Sequence, residues 1–214
     1  MFLDNYKNVL FDLDGTLIDT GEGIINSVFY CVEKMQLKQI DYEEARLFVG
    51  PPLIDSFVKL FDIDFSLASE CVKVFREYYK EKGKKECIPY FGIKKVLAYL
   101  KMKKYRIFVA TSKPTVFAKE ILEQHGLDDF FESVEGSNID NSRCKKEDII
   151  SDILLKFDLI NSDTIMIGDK AVDILAARKC NIDSIGVLYG YGSYEEISDA
   201  KPLRIVENVT ELLK

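Results

Sequence analysis

Asp12 and Asp14 stand two residues apart in the string Asp12-Leu13-Asp14-Gly15-Thr16, directly behind the apolar run Asn8-Val9-Leu10-Phe11. Side chains at i and i+2 of an extended segment share a face, so both carboxylates can reach one substrate from one side. Two acids so placed suit covalent catalysis with proton transfer, one attacking and the other giving and taking the proton. A string of Asp and Gly is also a common turn, so the pair gains meaning only from what accompanies it. Thr111 ends the apolar run Arg106-Ile107-Phe108-Val109-Ala110 and is followed by Ser112-Lys113-Pro114. Asp169 ends Ile165-Met166-Ile167-Gly168, and Asp173 follows four residues later, on the same face of a starting helix. Lys145 and Lys146 lie between Thr111 and Asp169 in the chain. The one histidine, His125, is expected as a helix-terminal cation facing solvent, just before a helix-ending Gly126. His-rich metal sites and Ser-His-Asp triads therefore lack their main supplier.

These residues need elements to carry them. Runs of strand length fall at 9–11, 107–110, 164–168, 184–187 and 203–206, and helical patterns at 92–103, 114–125, 146–157 and 171–180. Pro114 suits a first helical turn. Alternating strands and helices predict an α/β fold with a Rossmann-like parallel sheet. Open sheets of this kind bind ligands beyond the carboxyl ends of their strands, where Asp12, Thr111 and Asp169 all fall. The stretch from Thr16 to Ile107 is about three times the length of a simple crossover, which needs only about 30 residues. Within it, 21–35, 41–49, 52–61 and 66–82 carry helical spacing, as in Ile24, Ile25, Val28, Phe29 and Val32. The expected organisation is a core of 1–18 and 88–214 with an inserted helical cap at 19–87. The polar stretch 81–86 reads as a solvated linker and hinge.

Composition narrows the function classes. The chain has 214 residues, 47% hydrophobic and 30% charged, which fits a folded soluble protein rather than a disordered one. Its 29 basic and 36 acidic residues give a net charge of −7, and no basic run could track a nucleic-acid backbone. No stretch approaches a membrane span, and no charged leader with an apolar core precedes the first strand. Cys31, Cys71, Cys87, Cys144 and Cys180 are odd in number and form no Cys-x-x-Cys pair, so a reduced, cytoplasmic setting is expected. No nucleic-acid or membrane partner is expected; a monomer or homodimer is expected, a choice that composition does not make.

Taken in order, these strings resemble the four motifs of the haloacid-dehalogenase-type phosphohydrolases, in the helical-cap subgroup that includes phosphoglycolate phosphatases. The resemblance implies that Asp12 is the nucleophile that becomes an aspartyl-phosphate. It makes Asp14 the acid and base, with its backbone carbonyl on the metal. Gly15 and Thr16 complete the first motif beside the substrate. Thr111 and Ser112 would hydrogen-bond a phosphoryl oxygen, with Lys113 near the site entrance. A lysine must balance the charge of nucleophile and phosphoryl group. The string Lys146-Glu147-Asp148-Ile149-Ile150 matches that motif better than one starting at Lys145. Asp169 and Asp173 belong to the metal site with Asp12, Asp173 orienting metal-bound water or the lysine. Hard oxygen ligands and a phosphate substrate imply Mg²⁺. In the insert, Arg46-Leu47-Phe48-Val49-Gly50-Pro51-Pro52-Leu53 resembles a cap string of phosphoglycolate-phosphatase-like members. Arg46 and Gly50 are candidate specificity residues, and the Gly-Pro loop reads equally well as a helix boundary.

The expected activity is Mg²⁺-dependent hydrolysis of a small phosphorylated metabolite. Dehalogenation needs no acid for a halide leaving group, and Asp14 argues against it. Sugar phosphomutases tend to carry Ser-Arg where this chain has Pro51-Pro52. Pyrophosphate and 5′-nucleotide hydrolysis remain open. A non-catalytic protein on the same fold would be marked by loss of Asp12, Asp14, the lysine or Asp169, and none is lost.

Overall fold

The computed structural model describes residues 2–139, 143 and 145–214. Cys144 lies outside them; Cys31, Cys71, Cys87 and Cys180 are buried thiols that form no disulfide with one another. In chain order the elements are β1 (Asn8–Phe11), β2 (Ile18–Asp19), α1 (Gly21–Lys34), α2 (Tyr42–Arg46), α3 (Leu53–Phe61), α4 (Phe65–Glu81), β3 (Ile88–Pro89) and α5 (Ile93–Met102). There follow β4 (Arg106–Pro114), α6 (Thr115–Gln124), β5 (Ser133–Ser137), α7 (Lys146–Lys156), β6 (Thr164–Gly168), α8 (Ala171–Lys179), β7 (Asp183–Val187), α9 (Tyr194–Asp199) and β8 (Arg204–Val206). They divide into two compact units, Met1–Asp19 with Pro89–Lys214, and Thr20–Ile88. No helix among the described residues is long and apolar enough to cross a membrane.

The larger unit is an α/β fold on a six-stranded parallel sheet of order β5-β4-β1-β6-β7-β8. Every residue of β1 and β6 is buried, as helices on both faces require, and this is why they read as unbroken apolar runs. Leu10, Phe108 and Met166 pack with Ile149, Ile150 and Ile153 of α7 and Ala176 and Ala177 of α8. From β1 the chain builds outward through β4 and β5, then returns to β6 on the other side of β1. The order reverses at β1, so its carboxyl end opens on the crevice where such sheets bind ligands.

Several expectations need correction. β5 is a strand that pattern reading misses, because Ser133-Val134-Glu135-Gly136-Ser137 holds one large apolar residue and lies at the sheet edge. β4 does not stop at Ala110; its register shifts between Ala110 and Pro114, and Pro114 pairs with Ser137. Pro114 is thus extended, with φ −54° and ψ 131°, and precedes the first turn of α6 rather than entering it. His125 does cap α6, followed by Gly126 at φ +60°, but it is half-buried rather than solvent-facing.

The smaller unit is helical. Rings of Tyr30 on α1 and Tyr78 on α4 lie 5.5 Å apart, and Cys31 Sγ donates to the Cys71 carbonyl at 3.3 Å. Phe48 and Phe57 meet edge to face at 4.7 Å, with Phe61 stacked on Phe57. Asp41 caps α2 through a reciprocal pair with Glu44, and Asp64 caps α4 through the Leu67 amide. The stretch 81–86 is no linker. Its turn at Gly83–Lys85 packs on α1 so closely that a Cβ on Gly23 would lie 1.8 Å from the Gly83 carbonyl oxygen. Glu86 accepts from Asn26 and Tyr78, each at 2.9 Å.

Candidate active site

Asp12 continues the ladder one residue beyond β1, its amide donating to the Ile167 carbonyl at 2.9 Å. The chain then turns sharply: Gly15 takes φ +79°, and its amide donates to the Ile18 carbonyl at 2.9 Å. A Cβ on Gly15 would stand 2.1 Å from Asp169 Oδ2, so glycine serves here both the turn and the close approach. Thr16, fully buried, donates from Oγ1 to Asp169 Oδ1 at 3.2 Å.

Lys146 opens α7 and is 2% exposed. Its ammonium has three protons, and three acceptors surround it: Asp12 Oδ1 at 2.8 Å, Asp173 Oδ1 at 2.9 Å and the Ala110 carbonyl at 3.2 Å. Lys145, one residue earlier, is exposed at the helix cap. Burial alone would lower the Lys146 pKa, but the carboxylates of Asp12 and Asp173 outweigh it and raise it. Asp173 lies in the first turn of α8, where its Oδ2 accepts the Lys170 amide at 3.1 Å.

Asp12, Asp169 and Asp173 each bring a carboxylate oxygen within 4.8 Å of the others, and all three are buried. Burial pushes Asp12 up to about 7 against the pull of Lys146, with Asp173 adding to the rise. It pushes Asp169 up to about 8, with Asp173 and Asp12 next in effect. Three buried carboxyls, two of them on the Lys146 ammonium, crowd together here. An all-oxygen donor set of this kind fits a small hard divalent cation, Mg²⁺ first.

Thr111 is buried in β4, its Oγ1 accepting the Lys113 amide at 3.2 Å, while Ser112 is half-buried. The shift in β4 carries Lys113 inward. Instead of standing at an entrance, Lys113 is 8% exposed, and its Nζ lies 2.9 Å from Asp14 Oδ2. Each acid of the opening pair thus has its own lysine, Asp12 with Lys146 and Asp14 with Lys113. Arg46 and Gly50 belong to the helical unit. Arg46 is half-exposed and 3.9 Å from Glu43, and Gly50 takes φ +107°.

One contributor escapes sequence reading. The loop after β7, Leu188-Tyr189-Gly190-Tyr191-Gly192, closes over Asp169. The Tyr191 amide donates to Asp169 Oδ2 at 2.8 Å, its hydroxyl donates to Asp19 Oδ1 at 2.5 Å, and the Tyr189 hydroxyl donates to the Thr16 carbonyl at 3.1 Å. Tyr90 packs edge-on against Tyr189 at 5.0 Å. Burial raises the Tyr189 and Tyr191 hydroxyls far above the usual tyrosine range, so both remain neutral donors. The signal available was Gly-Tyr-Gly just beyond a strand's carboxyl end, since alternating glycines mark close backbone approach.

An aspartate at the switch point of a parallel sheet, a lysine bridging it to a second acid and a third acid just beyond a neighbouring strand form one buried cluster, an arrangement that fits a hydrolase of the phosphoryl-transfer type. The sequence pattern of the haloacid dehalogenase-like hydrolases matches residues 9–187, and the chain belongs to that family. A 5′-nucleotidase of Pseudomonas aeruginosa is 36% identical over 97% of this chain and 94% of its own. A phosphoglycolate phosphatase of Photobacterium profundum is 28% identical over 98% and 95%. The crystal structure of a predicted phosphatase from Clostridium acetobutylicum superposes with a TM-score of 0.93 at 43% identity, covering 97% of this chain and 96% of that one.

Proposed function

We propose that this chain is a Mg²⁺-dependent phosphatase that hydrolyses a small phosphorylated metabolite through an aspartyl-phosphate on Asp12, in the manner of a phosphoglycolate phosphatase. The observation that carries this reading is the buried Asp12–Lys146–Asp173 bridge beside Asp169. Lys146 and the Leu13 amide both engage Asp12 Oδ1, the latter at 2.7 Å. Attack is assigned to Oδ2. As the P–O bond to the leaving alcohol breaks, Asp14 supplies the proton. Asp14 then takes a proton from the water that hydrolyses the phosphoenzyme and releases phosphate. Thr111 and Ser112 donate to phosphoryl oxygens, and Lys146 balances the charge on Asp12 and the phosphoryl group. Asp12, Asp169 and the Asp14 carbonyl would hold the cation, with Asp173 anchoring Lys146 beside them. Bound there, Mg²⁺ neutralises phosphate charge that would otherwise repel the attacking carboxylate. The helical unit serves as the cap that selects the leaving group, with Arg46 and Gly50 as candidate contacts.

Asp12→Asn should abolish Mg²⁺-dependent hydrolysis of a chromogenic aryl phosphate; Mg²⁺-dependent turnover that survives it refutes this mechanism. Asp14→Asn should also stop turnover while binding Mn²⁺ more tightly than Asp169→Asn does, as titration calorimetry reads. Equal Mn²⁺ affinity in the two variants contradicts the assigned roles. A 5′-nucleotide is the second reading of the substrate, favoured by the 36% identity to a 5′-nucleotidase over nearly the whole of both chains. kcat/KM for nucleoside 5′-monophosphates against phosphoglycolate separates the two.

A further inference from the structure

We infer that Tyr191 is a positioning residue for the divalent-cation site: its amide aims the Asp169 carboxylate, and its hydroxyl, tied to Asp19, holds that amide in place. The inference builds on the phosphatase reading, which supplies the cation. Asp169 is fully buried, and two donors orient it, Thr16 Oγ1 on Oδ1 and the Tyr191 amide on Oδ2. A carboxylate ligand presents its oxygens to a metal only as accurately as its outer partners hold them. Here one partner is a backbone amide, so its aim is that of the loop carrying it. That loop has glycine on both sides of Tyr191. Gly190 and Gly192 are required by contact: a Cβ on Gly190 would lie 2.5 Å from Asp169 Cβ, and one on Gly192 would lie 1.9 Å from the Asp169 carbonyl oxygen.

Two flanking glycines let the chain pass close to Asp169 and leave it conformationally free. Rigidity must come from elsewhere. Tyr191 supplies it twice, its hydroxyl donating to Asp19 Oδ1 at 2.5 Å and its carbonyl accepting from Lys170 Nζ at 3.2 Å. Tyr189 adds a strut to the Thr16 carbonyl, the same residue that donates to the other Asp169 oxygen. Tyr90, beside Tyr189, is tied down by its amide on the Leu17 carbonyl at 3.1 Å. The loop therefore joins the first-motif turn, Asp19 and Asp169 into one frame, and the Tyr191 hydroxyl makes one of the bonds that hold Tyr191 in it.

Tyr191→Phe keeps the ring and removes that bond. The expected result is a folded protein, by circular dichroism, whose dissociation constant for Mn²⁺ alone, read by electron paramagnetic resonance of the free ion, rises about tenfold. The Mg²⁺ concentration for half-maximal turnover should rise by a similar factor. A folded Tyr191→Phe protein with wild-type Mn²⁺ affinity overturns the inference. Should that variant fail to fold, Asp19 decides: Asp19→Asn, which keeps an acceptor oxygen, must bind Mn²⁺ more tightly than Asp19→Ala, and equal affinities overturn it. A wild-type protein that binds Mn²⁺ yet hydrolyses no phosphomonoester sinks the phosphatase reading alone; one that binds no Mn²⁺ sinks both.

Discussion

At the scale of single residues the site is organised by ammonium groups more than by its acids. Lys146 uses all three of its protons on Asp12, Asp173 and Ala110 with almost no access to water. Removing one partner of a buried ionic group leaves the rest uncompensated, typically a loss of about 3–5 kcal/mol. Lys146→Met should therefore cost about 3 kcal/mol in urea unfolding at neutral pH. A loss under about 1 kcal/mol would mean that the carboxylates do not depend on it. Lys145→Met, at an exposed position, should be close to neutral in the same assay. The choice between these two lysines was open to sequence reading only through resemblance, because composition treats adjacent lysines alike. What separates them is the helix start, since neighbouring residues on a helix point about 100° apart and only one can face Asp12. Lys113 was legible as a residue of interest but not in its contact. Its pairing with Asp14 depends on the register shift in β4, which leaves no trace in the apolar pattern.

Elements were legible in proportion to how far burial dictated them. β1 and β6, covered on both faces, announce themselves as apolar runs, whereas the edge strand β5 needs no such run and stays silent. The helical unit shows the same limit. Its helices are marked by period, but the turn at Gly83–Lys85 looks like a charged linker because its composition is lysine-rich, while its backbone packs on α1. That contact has a measurable consequence. A methyl on Gly23 would meet the Gly83 carbonyl at 1.8 Å, and backbone cannot yield as a flexible side chain can. Gly23→Ala, ordinarily favourable in a helix, should here destabilise the protein by about 1–3 kcal/mol. A gain in stability in chemical denaturation would show that α1 and this turn are not in contact. Gly190 and Gly192 make the same argument at the active site, where the close approach is to Asp169.

For the whole molecule, crowding carboxyls at the end of the sheet sets how stability responds to pH. Burial raises Asp12 from 3.8 to about 7 and Asp169 from 3.8 to about 8, so the folded chain keeps protons that the unfolded chain has released. Between about pH 4 and pH 8 the folded state binds more protons, and stability must fall as pH rises through that window. The surface carboxylates paired with lysine or arginine, Glu77, Glu132, Glu147 and Asp163 among them, are shifted downward, and their contribution is lost only below about pH 4.5. A scan confined to pH 5.5–8.5 thus avoids those surface pairs and samples the buried cluster. In chelator, the midpoint of thermal unfolding should drop by on the order of 5–10 °C across that range. If Mg²⁺ is the cofactor as proposed, it would bind the ionised carboxylates of the folded state, so its stabilisation should grow with pH, reaching about 2.7 kcal/mol at a hundred times its dissociation constant. Asp169→Asn removes the more strongly raised of the two carboxyls, and its chelator curve should be flatter than that of the wild type. A wild-type midpoint that is level or climbs from pH 5.5 to 8.5 without metal would contradict the account of Asp12 and Asp169 as carboxyls that burial keeps protonated.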